Sequence, residues 1–294
     1  MNRICFIINP ISGVNRNPQK IRQWIEAEFG PPGEEYRILK TGGPGDATLL
    51  AQEAVRSGFT IVAAVGGDGT INEVGRSLVG TSAALGVVPA GSGNGFARNF
   101  HIPLNQQLAI RLLKNPRLIN IDVGRLNQHF FFNVAGLGID AEISHNFEQF
   151  GMRGPLPYFL VGTRALLNFQ PEAIELEWES NRQTILPLVL SIANAPQYGN
   201  GAIIAPQARP DDGKLDICFL DPLPIYRTIP NIYRLFNGTI DQIEEFHCFQ
   251  VEHLVIRRIA EGIIHTDGNP HLERQELVLD VLPGALRLAV PHQV

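Results

Sequence analysis

The feature that most constrains the fold is an alternation of short apolar runs with longer amphipathic segments in the part before Ile121. The apolar runs end at or next to Gly, Pro, Asn or Thr residues, and they are Ile4–Asn9, Arg37–Lys40, Ile61–Val65 and Leu85–Val88. Between them, Gln19–Phe29 and Asp46–Ser57 place their apolar residues on one helical face. Strands and helices that alternate at this spacing form a mostly parallel, open sheet covered on both faces. The sequence therefore predicts an α/β domain whose ligand binds beyond the carboxyl ends of the strands.

From about Ile121 onwards, closely spaced strand-like runs replace this alternation. These runs are Phe130–Val134, Ile174–Trp178, Leu186–Ala193, Leu215–Phe219, His253–Arg258 and Leu277–Val281. Helical spacing is confined to Pro157–Phe169 and Tyr226–Phe236. We therefore predict two domains: an open α/β sheet over residues 1–122 and an antiparallel β-sandwich over residues 123–294. The last residues can pack back on the first domain, and a cleft between the domains is the expected place for a small-molecule site.

Composition excludes several classes of protein. A net charge of -5 over 294 residues argues against a nucleic-acid-binding surface, which needs clustered Lys and Arg. The apolar run at Ile4–Ile8 is too short for a signal peptide, and no stretch of roughly 18 apolar residues predicts a transmembrane helix. We expect a cytoplasmic protein that reaches a membrane only transiently, at its surface.

The three cysteines, Cys5, Cys218 and Cys248, are far apart in the sequence, and none forms a CxxC pair. This spacing favours neither a disulfide framework nor a zinc site. Each cysteine lies in an apolar, strand-like run, so we predict three buried, reduced thiols.

Three glycine-rich turns follow three of the predicted strands in the first domain: Asn9–Gly13, Gly66–Thr70 and Pro89–Gly95. Glycine lets backbone N–H groups approach a phosphate closely, and a helix that starts directly afterwards adds further donors. Asp68 offers a carboxylate for Mg²⁺, while Thr70 and Ser92 offer hydroxyls. Any one turn taken alone is better explained as a capped strand-to-helix connection. Three at one sheet edge favour a phosphate site, although no Walker A or GxGxxG motif is present.

In these motifs the sequence resembles the diacylglycerol kinase and sphingosine kinase superfamily along nearly its whole length. The first half carries Asn9-Pro10-x-Ser12-Gly13, Thr41, Gly66-Gly67-Asp68-Gly69-Thr70-x-Asn72-Glu73 and Pro89-x-Gly91-Ser92-x-Asn94. The second half carries Phe132-Asn133-x-x-Gly136-x-Gly138-x-Asp140-Ala141, Tyr198-Gly199-x-Gly201, Ala205-Pro206-x-Ala208, Asp211-Asp212-Gly213-x-Leu215-Asp216 and Asp267-Gly268. Gly-Gly-Asp-Gly-Thr alone also occurs in NAD kinases, but the combination is typical of the lipid kinases.

The resemblance implies a nucleotide-binding first domain, a lipid-substrate second domain and a set of site residues. The implied ATP contacts are Asn9, Pro10, Ser12, Gly13, Thr41, Gly66, Gly67, Asp68, Gly69, Thr70, Asn72 and Ser92. It also implies a structural Mg²⁺ held by the Asp212 side chain and by the backbone carbonyls of Arg209 and Lys214. Asp267 matches the family's catalytic carboxylate, which takes the proton of the attacking lipid hydroxyl. Taken alone, Asp211–Gly213 and Asp267-Gly268 are explained as ordinary turns.

Two positions depart from the family pattern: Asn269 replaces the usual Glu after Asp-Gly, and Gly95 follows Asn94 where Asp is common. The leading hypothesis is an ATP- and Mg²⁺-dependent kinase acting on a lipid such as diacylglycerol or a sphingoid base. The alternatives are an NAD kinase-like enzyme and a catalytically weak nucleotide- or lipid-binding regulator, the latter supported by Asn269. An apolar cluster between Phe147 and Leu160 is interpreted as core, or as a slot for an acyl chain, and a homodimer is left open.

Overall fold

A computed structural model describes residues 3–13, 17–31, 33, 35–138 and 170–292. The predicted helix Pro157–Phe169 and the apolar cluster between Phe147 and Leu160 lie outside these residues. The chain divides into two compact units, Met1–Ile121 with Gly284–Val294, and Asp122–Pro283. Among the residues that the structure describes, no helix is both long and apolar enough to cross a membrane.

The first unit is built on a parallel sheet with strands in the order β2–β1–β3–β4. Its strands are β1 Ile4–Ile8, β2 Tyr36–Lys40, β3 Ile61–Gly66 and β4 Ala84–Pro89. Its helices are α1 Pro18–Phe29, α2 Asp46–Arg56, α3 Asp68–Leu78, α4 Gly95–Asn99 and α5 Gln106–Leu112. Every residue of β1, β3 and β4 is buried, as expected for strands covered on both faces. The predicted open parallel α/β sheet is confirmed.

The helices of this unit follow from the spacing of their apolar residues. In α1, Ile21 and Ile25 are four residues apart and are both buried, and the side chain of Asn17 accepts the N–H of Lys20 as an N-terminal cap. In α3 the buried positions include Ile71 and Val74, which lie on one face. The strand order reverses between β1 and β3, because the chain adds β2 on one side of β1 and then β3 and β4 on the other, and open α/β sheets bind their ligands at such a point.

The second unit contains two antiparallel sheets. One has the order β14–β13–β10–β7–β16–β17, and the other joins the first part of β18 to β15, β8 and β9. Strands up to the middle of the unit are β5 Arg117–Leu126, β6 His129–Phe131, β7 Val134–Gly138, β8 Ile174–Trp178, β9 Asn181–Ile185, β10 Val189–Ala193, β11 Gln197–Gly199 and β12 Ala202–Ile203. Those after it are β13 Leu215–Leu220, β14 Phe246–Val251, β15 His253–Arg258, β16 Gly262–Thr266, β17 Asn269–Glu273 and β18 Glu276–Val290.

One core joins the two sheets of this unit. Leu190 and Ile217 from the first sheet and Leu176 and Ile256 from the second belong to the same buried cluster. Two short helices, α6 Ile225–Asn231 and α7 Tyr233–Asn237, follow β13, and a 3₁₀ turn at Ile240–Gln242 comes after them. The predicted antiparallel β-sandwich is confirmed.

Two predicted strands have different bounds in the structure. The run Phe130–Val134 is divided between β6 and β7, because the N–H groups of residues 132–134 bind the carboxylate of Asp267 instead of a neighbouring strand. The run Leu186–Ala193 becomes a strand only at Val189, after Pro187, which has no N–H to donate.

The prediction of three isolated buried thiols is wrong for two of the cysteines. Cys218 on β13 lies directly opposite Cys248 on β14 with a Cα–Cα distance of 4.2 Å, and the two form a disulfide. Cys248 is also exposed, since its strand is at the edge of the sheet. Only Cys5 is a free, buried thiol. The sequence separation of 30 residues gives no sign of the pairing, which depends on the register of two antiparallel strands.

Candidate active site

The first unit contains a pocket at the carboxyl ends of β1, β2 and β3, where the strand order reverses. It has a volume of about 270 Å³. Its walls come from the three loops that follow these strands and from the start of α2 and α3. The lining residues are Asn9, Pro10, Ile11, Ser12, Thr41, Gly42, Gly43, Pro44, Ala47, Gly67, Gly69, Thr70 and Glu73.

Hydrogen bonds fix the first loop against the third strand and the helix after it. The backbone N–H of Asn9 donates to Val65 O at 3.0 Å, and its side-chain Nδ2 donates to Thr70 Oγ1 at 3.0 Å. The Asn9 Oδ1 atom accepts the N–H of Ile11 at 3.1 Å, so one side chain holds both walls of the pocket. The neighbouring loop is anchored in the same way, because Thr41 N–H donates to Ile8 O at 3.0 Å.

The glycines of the loops are needed because backbones approach each other closely. A Cβ atom on Gly91 would lie 2.7 Å from the Cα atom of Gly67, and one on Gly13 would lie 2.1 Å from the carbonyl oxygen of Ala90. Gly13 also has φ +77°, a conformation that favours glycine. A Cβ atom on Gly69, by contrast, would have no heavy atom of the described residues within 4 Å, and this residue faces the pocket. The glycines therefore bring the loops together and leave one open side.

Asp68 is held by the third glycine-rich loop. Its Oδ1 atom accepts the N–H of Phe96 at 3.1 Å, at the start of α4, and the backbone N–H groups of Asn94 and Gly95 also interact with the carboxylate. Burial raises the pKa of Asp68, and these N–H groups oppose that rise. The described contacts of Asp68 thus join the glycine-rich loop after β3 to the one after β4. Asp68 is not among the residues that line the pocket.

The structure brings together seven of the twelve predicted ATP contacts as lining residues. They are Asn9, Pro10, Ser12, Thr41, Gly67, Gly69 and Thr70. The other five do not line this pocket: Gly13, Gly66, Asp68 and Asn72 lie in the loop after β1, at the end of β3 or in α3, and Ser92 lies in the loop after β4. Gly42, Gly43, Pro44, Ala47 and Glu73 line it and were missed, and Ile11 lines it within the predicted turn Asn9–Gly13. The signal for the first three was their place directly after β2, at the strand end where such sheets bind ligands.

The carboxylates of Asp46 and Glu73 beside the pocket accept hydrogen bonds from backbone N–H groups of the loop after β2. Asp46 Oδ2 accepts the N–H groups of Gly42 and Gly43 at 2.7 and 3.0 Å, and Glu73 Oε1 accepts the N–H of Gly45 at 3.2 Å. Among the described residues that line the pocket there is no Lys or Arg.

Lys20, Lys40 and Arg98 are close in sequence to the predicted site residues, but none of them lines the pocket. The Lys20 ammonium lies over the Trp24 ring, and Arg98 Nε donates to Gly93 O at 3.2 Å. Lys40 is exposed at the end of β2. Arg16 lies outside the described residues.

In the second unit, Asp267 occupies the turn between β16 and β17 with φ 49°. Its Oδ2 atom accepts the N–H of Phe132 at 2.9 Å, and its Oδ1 atom accepts those of Asn133 and Val134 at 2.8 and 3.3 Å. Three backbone donors hold this carboxylate in one orientation. Asn269 begins the next strand, in register with Thr266.

Behind this turn lies a polar cluster that the sequence did not reveal. Glu273 is 8% exposed, and its two oxygens bind Asn127 Nδ2 at 2.7 Å and His129 Nε2 at 2.9 Å. The His129 ring stacks on His271, whose Nε2 lies 2.8 Å from Thr266 Oγ1. Burial opposes ionisation of Glu273, but the bonds from Asn127 and His129 outweigh it, so its pKa is lowered.

The predicted Mg²⁺ segment forms a turn braced by a buried acid that was also missed. Asp122 is 3% exposed, and its Oδ2 atom accepts the N–H of Gly213 at 2.7 Å. Asp212 Oδ1 accepts the N–H of Lys214 at 3.0 Å, and Gln250 Nε2 lies 3.3 Å from Asp212 Oδ2 and 3.4 Å from Asp216 Oδ2. Burial raises the pKa of Asp216, and the nearby Asp212 charge adds to the rise.

These oxygen donors are of the kind that Mg²⁺ prefers, and two carboxylates that share one amide would be stabilised by a cation. Among the residues that the structure describes, no group of three or more His, Cys, Asp or Glu side chains is arranged for a metal ion. A site here would therefore depend on backbone carbonyls beside Asp212.

A glycine-lined pocket where the strand order of a parallel sheet reverses, in a chain that continues into an antiparallel sandwich, defines a two-unit protein of the α/β plus β class. Residues 3–126 match the model of the diacylglycerol kinase catalytic domain, and residues 133–290 match that of the YegS C-terminal NAD kinase beta sandwich-like domain.

The similar proteins point the same way. A protein of Pseudomonas aeruginosa strain UCBPP-PA14 named Probable lipid kinase YegS-like is 31% identical over 96% of this chain and 93% of its own length. The diacylglycerol kinase of Bacillus subtilis strain 168 is 33% identical over 75% of this chain and 74% of its own length. A crystal structure of a diacylglycerol kinase from Bacillus anthracis strain Sterne has the same fold, with a TM-score of 0.76 and 19% identity over 100% of this chain and 98% of that one. This chain belongs to the YegS and diacylglycerol kinase-like family of lipid kinases.

Proposed function

We propose that the chain transfers the γ-phosphate of ATP to the hydroxyl group of a lipid such as diacylglycerol or a sphingoid base. The observation that carries this proposal is the pocket at the ends of β1, β2 and β3, with its loops closed around Gly67 and Gly91. Its size and amide-rich walls suit a polyphosphate rather than an apolar ligand.

Within the pocket, the first turn of α3 supplies the phosphate donors. The N–H groups of Gly69 and Thr70 belong to the turn in which a helix has no acceptors of its own, and both residues line the pocket. Asn9 keeps the hydroxyl of Thr70 in place through its Nδ2 atom. Family membership supports extending the ATP contacts to Gly13, Gly66, Asp68, Asn72 and Ser92.

Asp267 is the proposed catalytic base. In the transfer, the lipid oxygen forms a bond to the γ-phosphorus while the bond from that phosphorus to the β,γ-bridging oxygen breaks, and ADP leaves. The hydroxyl proton passes to the Asp267 carboxylate, which the amides of residues 132–134 hold ready. The first unit thus serves as the nucleotide-binding domain and the second as the lipid-substrate domain, and the enzyme acts at a membrane surface.

We propose two Mg²⁺ ions, one bound with ATP and one structural ion in the second unit. When bound with ATP, it neutralises phosphate charge in a pocket whose described walls contain a carboxylate, Glu73, and no cationic side chain. Asp68, whose carboxylate follows the second glycine-rich turn at the start of α3, is the candidate ligand. A second, structural ion would be held by Asp212 with the carbonyls of Arg209 and Lys214, where it would compensate the charges of Asp212 and Asp216.

The test is to supply the protein with γ-radiolabelled ATP and Mg²⁺ and a panel of lipid alcohols, and then to separate the lipids. We expect label in one class of lipid phosphate, and its loss when Mg²⁺ is chelated. NAD serves as an additional acceptor in the same panel. Label in NAD phosphate with none in any lipid would replace the proposal with an NAD kinase, and ATP binding without any transfer would leave a regulator.

A further inference from the structure

Four exposed apolar side chains lie on one face of the segment Ile225–Asn237 in the second unit. The residue between α6 and α7, Ile232, has φ -57° and ψ -34°, so the backbone stays helical across the break. Tyr226, Ile229, Tyr233 and Phe236 are spaced by three, four and three residues, which places them on the same side of a helix. We call these four side chains the aromatic face.

The opposite side of this segment is fixed to the unit. Leu223 and Leu235 pack against a buried cluster that includes Ile204 and Ile240. The Thr228 hydroxyl donates within its own turn, to Leu223 O at 3.1 Å and Pro224 O at 3.2 Å. The aromatic face therefore points outward because the other side is anchored.

This face gathers exposed aromatic side chains in one place. Its members are 74%, 47%, 56% and 57% exposed for Tyr226, Ile229, Tyr233 and Phe236. In the part of the chain that the structure describes, every exposed Phe, Tyr or Trp side chain belongs to this face. Contiguous exposed apolar groups of this kind mark a surface that binds something.

The chemistry of the segment favours a lipid surface. Residues 222–238 carry two arginines and no carboxylate, in a chain whose net charge is -5. Glu245 neutralises Arg227 at 2.7 Å, whereas Arg234 lies against the Tyr233 ring and bonds to the neutral side chains of Asn231 and Gln242. Tyrosine rings with polar tips, beside a guanidinium that forms no ion pair with any residue the structure describes, suit the headgroup region of an anionic bilayer.

A second copy of the chain fits this face less well. At 47–74% exposure, the four side chains offer about half of the roughly 800 Å² per partner that a stable protein interface buries. Shallow insertion into a bilayer has no such minimum area, because binding strength grows with each apolar group that enters the interface.

We propose that the aromatic face is the surface by which this kinase docks on anionic membranes, with the rings of Tyr233 and Phe236 entering the headgroup boundary. The inference rests on the proposed function, which requires the enzyme to reach a lipid acceptor, and it identifies the surface that does so.

The experiment compares sedimentation of the full chain with vesicles of phosphatidylcholine and phosphatidylglycerol for three proteins. They are the wild type, the double variant Tyr233→Glu with Phe236→Glu, and the control Ile259→Glu, which changes a residue that is 69% exposed elsewhere. We expect the double variant to bind at least about tenfold more weakly and the control to bind as the wild type does. Circular dichroism and thermal melting check that both variants fold.

A second measurement separates this inference from the proposed function. Phosphate transfer is assayed once with the lipid acceptor in vesicles and once with a short-chain acceptor below its critical micelle concentration. The double variant should lose transfer only from vesicles. Equal vesicle binding by the double variant and the wild type would overturn the docking surface, and so would a wild-type dimer that the double variant converts to a monomer in light scattering. If the wild type transferred no phosphate in either assay, the proposed activity would be rejected. The sedimentation result would still show whether the aromatic face binds membranes.

Discussion

Asp267 shows how one side chain shapes both the backbone and the candidate chemistry. Its carboxylate accepts three N–H groups between Phe132 and Val134, and this turn divides what would otherwise be one strand. The same bonds fix the carboxylate in the orientation that a general base needs. A substitution here therefore changes both folding and catalysis, and an experiment has to measure the two separately.

We expect Asp267→Asn to lower lipid phosphate formation by about 100-fold or more, because an amide cannot accept the hydroxyl proton. Stability should fall by about 2 kcal/mol, since the amide NH₂ replaces one acceptor oxygen opposite a backbone donor. ATP affinity should be unchanged, because the lining residues of the pocket run from Asn9 to Glu73. Initial rates, urea unfolding and ATP titration measure the three effects.

The control for this variant is Asp211→Asn, which neutralises an acid that is 56% exposed. It should retain activity and stability. If Asp267→Asn transferred phosphate at the wild-type rate, Asp267 would be a structural residue alone.

The cysteines give a prediction that needs no substrate. Burial raises the pKa of Cys5 to about 12, and Cys218 is bonded to Cys248. The folded protein, isolated without reductant, should therefore expose no thiol to Ellman's reagent. Unfolding in urea should release one reactive thiol, and unfolding with prior reduction should release all three. Three thiols in the unfolded, unreduced protein would show that the two strands carry free cysteines.

At the scale of elements, hydrogen bonds and close glycine contacts hold the loops after β1, β3 and β4 together. Ala90 N–H donates to Gly66 O at 2.7 Å, and Gly91 N–H donates to Asn94 Oδ1 at 2.9 Å. Asp68 joins the start of α3 to the start of α4. Two glycines in this arrangement differ in what a methyl group would contact, which allows packing and ligand binding to be tested separately.

We expect Gly91→Ala to destabilise the protein by about 1–3 kcal/mol, because its methyl group would lie 2.7 Å from Gly67 Cα. Gly69→Ala should leave stability unchanged or slightly higher, since no described atom lies within 4 Å of the added methyl group and the residue is helical. The Gly69 methyl group would still enter the pocket and weaken ATP binding by about tenfold. Thermal melting and ATP titration of both variants provide the comparison. Undiminished ATP binding by Gly69→Ala would place the phosphates elsewhere.

The hairpin of β16 and β17 carries a pH-dependent contribution to stability. The pKa of Glu273 is lowered in the folded state, so its bonds stabilise the fold above the ordinary carboxyl pKa of 4.5. That contribution is lost as the pH falls through the lowered value, because protonation removes the charge that Asn127 and His129 bind.

We expect Glu273→Gln to be less stable than the wild type by about 1 kcal/mol near pH 7. The difference should shrink below about pH 4.5, where the unfolded carboxyl already takes up a proton. Urea unfolding near pH 7 and below about pH 4.5 measures this difference in stability. Glu244→Gln, at an exposed residue, is the control. A difference that stayed constant with pH would mean that Glu273 acts only through packing.

At the scale of the whole molecule, features that depend on local sequence patterns were predicted, whereas contacts between distant residues were not. The two fold classes, α1, α2 and the three glycine-rich turns depend on periodicity and on local conformation, which neighbouring residues determine. The Cys218–Cys248 bond, the binding of Asp267 to residues 132–134 and the bracing of Gly213 by Asp122 join positions 30, 133–135 and 91 residues apart. Such contacts depend on strand register, which a single sequence does not display.

The strand Glu276–Val290 has a consequence for how the chain matures during synthesis. Its first part pairs with β15 in the second unit, and Arg287 and Leu288 pair with Ala84 and Leu85 of β4 in the first. On the ribosome, all of Asp122–Pro283 would have to be synthesised before the sheet of the first unit could receive this fifth strand. Until then the side of β4 remains an unpaired edge, the kind that invites misassociation. A nascent chain stalled before Gly284 should consequently be a better client for chaperones than the finished enzyme.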